Sequence, residues 1–451
     1  LDISFVAGQA EKGIANPSDF QVSENRLLED RYELGARFTK DLSNKHQVQV
    51  KSYISQYNER RSADVAGVPL YLLDDELREL FTLNPDAANE IAGGESPVSL
   101  DMSDANQVAL ATSIGGKYSD TAYATTPVSG TVNADIDEYR FDIEVQDTYV
   151  FSPELTLVSG VSYRHDKVSS QHHFSGSLNN DTSRIFASAT WVPFEELSAH
   201  IGVMGEKEDR TDAVFAPRAA LNYKFTPSQS MRLVYSESVR SPDLLEQSAD
   251  WNFLVENAQS TGALNGTTFY QTAQGPENLS HQLIQSYELG YYGRLATFDS
   301  EIDIRIFKEE LTDVTYQSIK LANLRSIEGN EITFDGVEWQ LSSNPWQGTQ
   351  FRLVGAHVDA DWFISDEDNL LSTTLLRIYA RDTLTFAWMQ NWAGNDRTSL
   401  SYMVANKYDQ TNNAAGRNLF ERLELYIGNS LIVGGLDLEM SVTLQYDMST
   451  D

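Results

Sequence analysis

The chain has 451 residues, no cysteine and a formal net charge of −33 at pH 7. The acidic balance argues against a nucleic-acid partner, because binding of phosphates requires a basic surface. Without cysteine the chain has neither disulfides nor thiolate metal sites. No run approaches the roughly 18 apolar residues of a membrane helix, and the N-terminal segment lacks the charged and apolar regions of a signal peptide.

Strict alternation of apolar and polar residues recurs along the chain. The clearest examples are 137–146, 286–291, 299–307 and 436–446. Successive side chains of a strand point to opposite faces, so each segment is predicted to be a strand with one apolar face. The longest of these exceed the five or six residues usual in a soluble sheet and can cross a bilayer at a tilt.

The connections between these strands alternate between short and long. Short links such as 43–45 and 152–154 should lie at one end, and long segments at the other. This sorting is typical of an outer-membrane barrel and not of a soluble sandwich. We therefore predict an all-β, transmembrane antiparallel barrel of about 17 strands. The long segments are expected at 9–30, 60–136, 168–181, 207–213, 239–280, 312–331, 362–379 and 409–416.

The barrel prediction assigns a face to each side chain. Tyr139, Phe141, Ile143, Leu438, Met440 and Val442 are expected to face lipid, and Arg140, Asp142, Asp437 and Glu439 the lumen. The inward acids Asp142, Glu144, Glu288, Glu301, Asp303 and Glu338 are expected to pair with lumen arginines or with a plug.

The strand count also predicts an incomplete barrel. Single-chain bacterial barrels have an even number of strands and both chain ends on the periplasmic side. Here the last strand, 434–448, is expected to end on the long-loop side. We therefore expect one closing strand beyond Asp451 and an even number before Leu1. Such a fragment would expose two unpaired sheet edges and would aggregate or require detergent.

Two long segments contain further candidate features. In the longest loop, a helix is predicted from Asp74 to Phe81, because acidic residues suit a helix start and Pro85 follows. The loop is long enough to cover the barrel mouth. In and beside the long segment 168–181, His165, His172 and His173 could bind a transition metal or haem, since imidazole is a common ligand. The alternative is an ordinary polar loop.

Motifs of catalysis are missing from the sequence. It contains no HExxH, Walker loop or Gly-x-Ser-x-Gly pattern. We expect no enzyme, no cofactor and no metal centre. The acidic segment Asp359–Asp368 offers oxygen ligands for calcium, but its spacing fits no known loop and a solvated acidic surface is the preferred interpretation.

Four segments together resemble the barrel of TonB-dependent outer-membrane receptors. In that family a Tyr-Ser-x-x-x-Arg-x-Pro strand leads into a long extracellular loop, which closes with an Asn-Pro-x-Leu-like turn and a Ser-Tyr-Glu-Leu-Gly strand. A Gly-x-Glu pattern follows in a later strand. The segment Ala216–Phe225 adds to the resemblance. The matching residues are Tyr235, Ser236, Arg240 and Pro242, then Pro276–Leu279, Ser286–Gly290, and Gly336 with Glu338.

The resemblance implies a function and a set of partners. A family barrel has about 22 strands, so residues 1–451 would be a partial barrel without the plug domain, the TonB box and the final strand. The implied function is uptake of a scarce nutrient across the outer membrane of a Gram-negative bacterium, energised through the TonB complex. The implied substrate is first a ferric siderophore, and the alternatives are cobalamin, a glycan or haem. The alternative is an ungated porin or a surface adhesin and phage receptor.

The candidate binding residues lie in the 239–280 loop, on the extracellular side. Arginine can bind a carboxylate or catecholate in bidentate fashion, and aromatic rings can cover the apolar face of a chelate. Loop aromatics can equally pack on each other, and the arginine can tie the loop to the rim. The segment Asp243–Gly275 contains no histidine, which argues against haem. The candidate substrate-binding residues are Arg240, Trp251, Phe253, Phe269 and Tyr270.

Overall fold

The structure, a computed structural model, describes most of the chain. Its main element is a single antiparallel sheet of 20 strands. Phe253, Phe269 and Tyr270 of the candidate site lie outside the described residues. The described residues are 1–14, 25–119, 126–251, 254–257, 267–268, 275, 279–314, 331–363, 379–408, 417–433 and 436–449.

Seventeen long strands form the wall, and three shorter strands, β4, β11 and β12, belong to the loops. The strands are β1 (Asp2–Ile14), β2 (Asn25–Ser43), β3 (His46–Pro69), β4 (Pro127–Asn133), β5 (Ile136–Ser152), β6 (Leu155–Ser170), β7 (Gly176–Phe194), β8 (Leu197–Glu208), β9 (Val214–Thr226), β10 (Gln229–Arg240), β11 (Leu254–Glu256), β12 (Thr267–Thr268), β13 (Gln282–Leu295), β14 (Ser300–Thr312), β15 (Glu331–Ser343), β16 (Thr349–Phe363), β17 (Asp382–Asn391), β18 (Asp396–Tyr408), β19 (Arg417–Val433) and β20 (Leu436–Asp447).

Each long strand pairs with the next long strand along the chain, as in an up-and-down barrel. β3 pairs with β5 and β10 with β13, passing over the short loop strands. Within the described residues no pairing joins β1 to β20, so the sheet is not closed there. The all-β prediction and the count of seventeen wall strands are confirmed.

The connections are sorted by end, as the sequence predicts. We call the end with short links the turn end and the opposite one the loop end. At the turn end, 44–45, 153–154, 195–196 and 227–228 join consecutive wall strands. The prediction for 168–181 was wrong, because both strands continue and only a short helix and Ser175 lie between them. The alternation there becomes polar on both faces, so it looks like a loop while remaining paired backbone.

The apolar face of the wall points outward. Leu438 is 48%, Met440 52% and Val442 61% exposed, whereas a soluble sheet would bury such side chains. On β5, Tyr139 is exposed, while Phe141 and Ile143 are partly covered by neighbours. The outer face of the wall becomes polar towards the loop end, where His165 and Asp181 are hydrogen-bonded at 2.6 Å. An apolar outer band of this kind suits lipid as its solvent.

The best-packed apolar core lies at the loop end, in the helices between β3 and β4. A 3₁₀ helix (Leu70–Leu73) precedes α1 (Asp75–Leu83), α2 (Pro85–Ala92) and α3 (Ala105–Ser119); we call residues 70–119 the helical cap. Leu77, Leu80 and Phe81 are fully buried in it. The predicted helix from Asp74 to Phe81 corresponds to α1, with Asp74 as its N-cap, accepting a hydrogen bond from the Glu76 amide at 2.9 Å.

The cap is fastened to the strands below it. Val255 of β11 is fully buried in the cap core and pairs with Val132 of β4. The cap and the loop that follows β10 therefore share one apolar core. On the outside of the cap, Lys117 Nζ lies 2.7 Å from Asp74 and 2.8 Å from Glu76. Hydrogen bonding to Lys117 is the largest cause that lowers the pKa of Glu76.

Two short helices complete the loop end. They are α4 (Gln171–Phe174), between β6 and β7, and α5 (Leu244–Ser248), which follows β10. Within the described part of the chain, none of the helices combines the length and the apolar character needed to traverse a bilayer.

Candidate ligand cavity

A cavity of about 620 Å³ opens inside the wall at the loop end. Its sides are residues of β5 to β8, with Ser55 of β3 and Val239 at the end of β10, and its ion pairs lie on the lumen-facing side of these strands. Its roof consists of His173 and Phe174 of α4 and of the segment Pro242–Leu245 at the start of α5. We call it the loop-end cavity. A site of this size suits a small-molecule ligand.

Strand register places charges of opposite sign beside one another in the cavity wall. Arg140 on β5 is opposite Asp166 on β6, and the two form an ion pair at 2.5 Å. Arg164, two residues before Asp166 and therefore on the same face, lies 2.8 Å from the other carboxylate oxygen. Asp166 is thus held between two guanidinium groups.

A second carboxylate is buried one row lower. Glu208 is only 4% exposed and lies on β8, in register with Thr182 of β7 and, beyond it, Arg164 of β6. Its oxygens accept a hydrogen bond from Asn180 Nδ2 at 3.1 Å and lie 3.7 Å from Arg164 Nη2. The Oδ1 atom of Asn180 is buried and accepts no hydrogen bond from the described residues.

A third carboxylate links the wall to the roof. Glu206 pairs with Arg184, its cross-strand neighbour, and accepts a hydrogen bond from Ser241 Oγ at 2.9 Å. Ser241 is also 3.2 Å from His281 Nδ1, and His281 Nε2 is 2.8 Å from the carbonyl of Asp212. Both ends of the 241–281 segment are therefore anchored at the cavity.

Arg240 lies at the base of this loop, as the sequence predicts. Its Nη2 atom is 2.6 Å from Glu246 Oε1. Glu246 also belongs to a capping box with Asp243, which fixes the first turn of α5. In this structure Arg240 therefore orders the loop at the rim.

Trp251 packs inside the roof. Its ring centroid is 6.1 Å from that of His172 and 5.6 Å from that of His173. The Asp250 amide donates to the His173 carbonyl at 2.9 Å, which joins the loop to α4. Burial, with a smaller effect of Arg61, lowers the pKa of His173 to about 4, so this imidazole is neutral near pH 7. In this arrangement Trp251 is a packing residue.

Gly275 shows how closely the loop returns to α5. Its amide donates to the Ala249 carbonyl at 2.7 Å. A Cβ atom at this position would lie 2.6 Å from the Gln247 backbone and 2.7 Å from the Ala249 nitrogen. A residue without a side chain is therefore required where the two segments meet.

The three histidines do not form a cluster. His165 faces outward and binds Asp181, whereas His172 and His173 pack under the loop. Among the described residues no group of three or more His, Asp and Glu side chains is arranged to hold a metal ion. In the acidic segment 359–368, Asp359 binds Arg381 at 2.6 Å. Residues 364–368 of this segment lie outside the described residues.

The inward acids largely have basic partners, as predicted. Glu288 binds Arg232 at 2.5 Å and Arg305 at 2.9 Å, and Arg305 is also 3.4 Å from Glu338. Glu144 binds Lys51 at 3.0 Å. Glu301 is 3.9 Å from Arg294, a looser contact. Among the described residues, Asp142 and Asp303 have no basic group within ion-pair distance.

Sequence reasoning missed the charged residues of the cavity wall, namely Arg164, Asp166, Arg184, Glu206 and Glu208. Their signal was present in part, because Arg164 and Asp166 are two residues apart on one strand and Glu206 and Glu208 two apart on another, which puts each pair on one face. The alternation shows which face they occupy, but only the register shows which charges meet.

The sequence matches a known family over residues 4–429, described as TonB dependent receptor-like, beta-barrel. Comparison with curated proteins gives no match.

Solved structures share the fold. The siderophore receptor PiuA from Acinetobacter baumannii has a TM-score of 0.58 and 10% identity, over 96% of this chain and 63% of that one. The ferric-catecholate import receptor Fiu from E. coli K12 has 0.57 and 9%, over 94% and 60%. The copper transporter OprC has 0.58 and 11%, over 97% and 62%.

This chain thus spans about three-fifths of the length of these similar structures. At such low identities the likeness shows the fold alone. The family match over nearly the whole chain and the outward apolar band agree with it. The chain belongs to the TonB-dependent receptors, as part of their β-barrel.

Proposed function

We propose that this chain is the barrel of an outer-membrane receptor that imports a metal chelate, most simply a ferric siderophore, into a Gram-negative bacterium with energy from the TonB complex. Family membership supports the mode of transport. The single observation that supports a small-molecule ligand such as a metal chelate is the loop-end cavity of about 620 Å³, which lies inside the wall.

The ligand is proposed to bind between the cavity wall and the 241–281 loop. Arg240 and Trp251 hold the base of the loop through Glu246 and α4. Phe253, Phe269 and Tyr270 are proposed to contact the chelate, since aromatic faces suit its apolar surface. On this proposal TonB, lipid and a small-molecule nutrient are the partners.

The test is uptake of radioactive iron by cells that express the receptor from its own gene in a host without other iron receptors. Saturable uptake that requires TonB supports the proposal. Uptake that is unsaturable and unaffected by deletion of TonB would identify a porin instead.

The loop is tested by alanine at Arg240, Trp251 and Tyr270 singly, with surface abundance measured in parallel. Loss of one anchor typically costs about 2 kcal/mol, close to thirtyfold in affinity. Tyr270→Ala should weaken binding at normal abundance. Arg240→Ala should also increase protease cleavage of the loop, because its contact with Glu246 is lost. Unchanged affinity in all three variants would remove this loop from the binding site.

A further inference from the structure

Every arginine of the loop-end cavity wall is already bound to a carboxylate. Arg140 and Arg164 bind Asp166, and Arg184 binds Glu206. An anionic ligand that binds the remaining N–H donors of these guanidinium groups would lie against the carboxylate already paired with them, and one that replaces the pair would have to displace that carboxylate. Glu206 and Glu208 are 8% and 4% exposed, so displacement would leave a buried charge unpaired, which is strongly unfavourable.

The cavity has no surplus of positive charge to offset that cost. Its lining includes five carboxylates and four basic side chains, and its histidine is neutral because burial lowers the pKa of His173 to about 4. The carboxylates are Glu138, Asp166, Glu206, Glu208 and Asp243, and the basic residues are Arg140, Arg164, Lys167 and Arg184.

Two segments of the sequence that lead to the loop end add further negative charge. Between Arg240 and Arg294 the sequence contains no lysine or arginine at all. Residues 60–136, which include the helical cap, contain four basic residues and twelve acidic ones. A cleft lined by one sign of charge concentrates ligands of the opposite sign and repels those of the same sign. The approach to the cavity therefore disfavours polyanions.

We propose that the chelate taken by this cavity is neutral or positively charged, such as a ferric trihydroxamate, and is not a ferric tris-catecholate. Three hydroxamates balance the charge of Fe³⁺, whereas three catecholates leave a charge of about −3. This inference rests on the proposed function and narrows its substrate class.

The hydrogen-bonding groups of the cavity suit such a ligand. The carboxylates Asp166 and Glu206 can accept from ammonium or amide N–H groups without losing their arginine partners, because a carboxylate has about four acceptor sites. Beside them, the buried Oδ1 of Asn180 accepts no hydrogen bond from the described residues.

The experiment compares ferric chelates that differ in charge on one scaffold. A linear trihydroxamate with a free amine carries about +1, its acetylated form 0 and its succinylated form about −1; a tris-catecholate provides about −3. Competition for iron uptake is measured in cells that express the receptor. At an effective dielectric constant of about 20, one unit of charge about 12 Å from one net charge changes affinity by roughly tenfold. We expect the +1 and neutral forms to bind at least tenfold more tightly than the −1 form, and the −3 chelate more weakly still.

Two variants test whether the charge of the cavity causes the order of affinities among the chelates. Glu206→Gln and Glu208→Gln each remove one cavity charge and should raise the relative affinity for the −1 form by roughly tenfold. The control Glu154→Gln removes a charge from the turn-end link 153–154, a full strand length away from the cavity, and should leave the order unchanged.

The wild-type series does not depend on the folding of any variant. Tightest binding by the tris-catecholate would overturn the charge inference and leave the receptor proposal standing. Failure to take up any of the four chelates, with the receptor present at the surface, would overturn both.

Discussion

The wall carries its apolar side chains on its outer surface, whereas the helical cap packs its apolar side chains into an internal core. Leu233 of the wall is 59% exposed, and Phe81 of the cap is fully buried. The same hydrophobic side chains are thus arranged for two solvents, since lipid replaces water around the wall while the cap projects into water. Exposure of an apolar residue is therefore a defect only where water is the surrounding medium.

The largest expected effect concerns the cap core. Phe81→Ala should destabilise the cap by about 3–5 kcal/mol, because it removes a fully buried ring and leaves a void. Hydrogen exchange of the cap amides would measure this. Leu83→Ala is the matched control, since Leu83 at the end of the same helix is 44% exposed. Equal effects at both positions would mean that the cap has no packed core.

A charge on the outer face of the wall should have the next largest effect. Leu233→Arg should cost about 2–4 kcal/mol if this position faces the bilayer near its midplane. Val234→Arg, one residue further and on the lumen face, should cost clearly less. Unfolding of the receptor in lipid bilayers by urea compares the two. A larger penalty at Val234 would reverse the assignment of faces.

The contact between loop and α5 gives a smaller effect. Gly275→Ala should destabilise the loop by about 1–3 kcal/mol, because the new methyl group would overlap the backbone near Gln247. Proteolysis of the 241–281 loop reports the change. Gly115→Ala in α3 is the control, since a Cβ there meets open space and alanine favours a helix. Unchanged cleavage in Gly275→Ala would disprove the close approach.

The smallest expected effect is a pH dependence of the roof. The pKa of His173 is lowered to about 4 from its usual value of 6.5, mainly by burial. Between these values the unfolded roof binds more protons than the folded one, so its stability falls as the pH decreases from 6.5 to 4. Proteolysis of the loop should therefore increase over this window. His173→Phe should abolish the increase, and an identical pH profile in that variant would assign it to another group.

Much of the wall could be predicted from the sequence, because alternation has an exact period and a barrel gives each face one environment. The cap was harder to predict. Its first helix has an acidic start and a regular apolar face, but α3 is rich in alanine and glycine and shows little periodicity. The core of the cap also depends on Val255, more than a hundred residues further along the chain.

The site was predicted in part. The sequence located the loop after β10 with Arg240 at its base, and left open whether its side chains contact a ligand or order the loop. In the structure Arg240 binds Glu246, and Trp251 packs on α4. The cavity wall depends on cross-strand pairs such as Arg184 with Glu206. A single sequence does not specify the register, that is, which residues of two neighbouring strands lie opposite each other.

The most direct test of the central claim is a spin-label scan along β6, from Leu155 to Ser170, of the receptor in lipid bilayers. The chain has no native cysteine, so single cysteines can be labelled specifically. Accessibility to oxygen, which partitions into lipid, should peak at Leu157, Ser159, Val161 and Tyr163, with low values at the residues between them. From His165 onward a water-soluble reagent should reach the label instead. Uniformly low access to oxygen along the strand would contradict the account, because the apolar face would then be packed against protein.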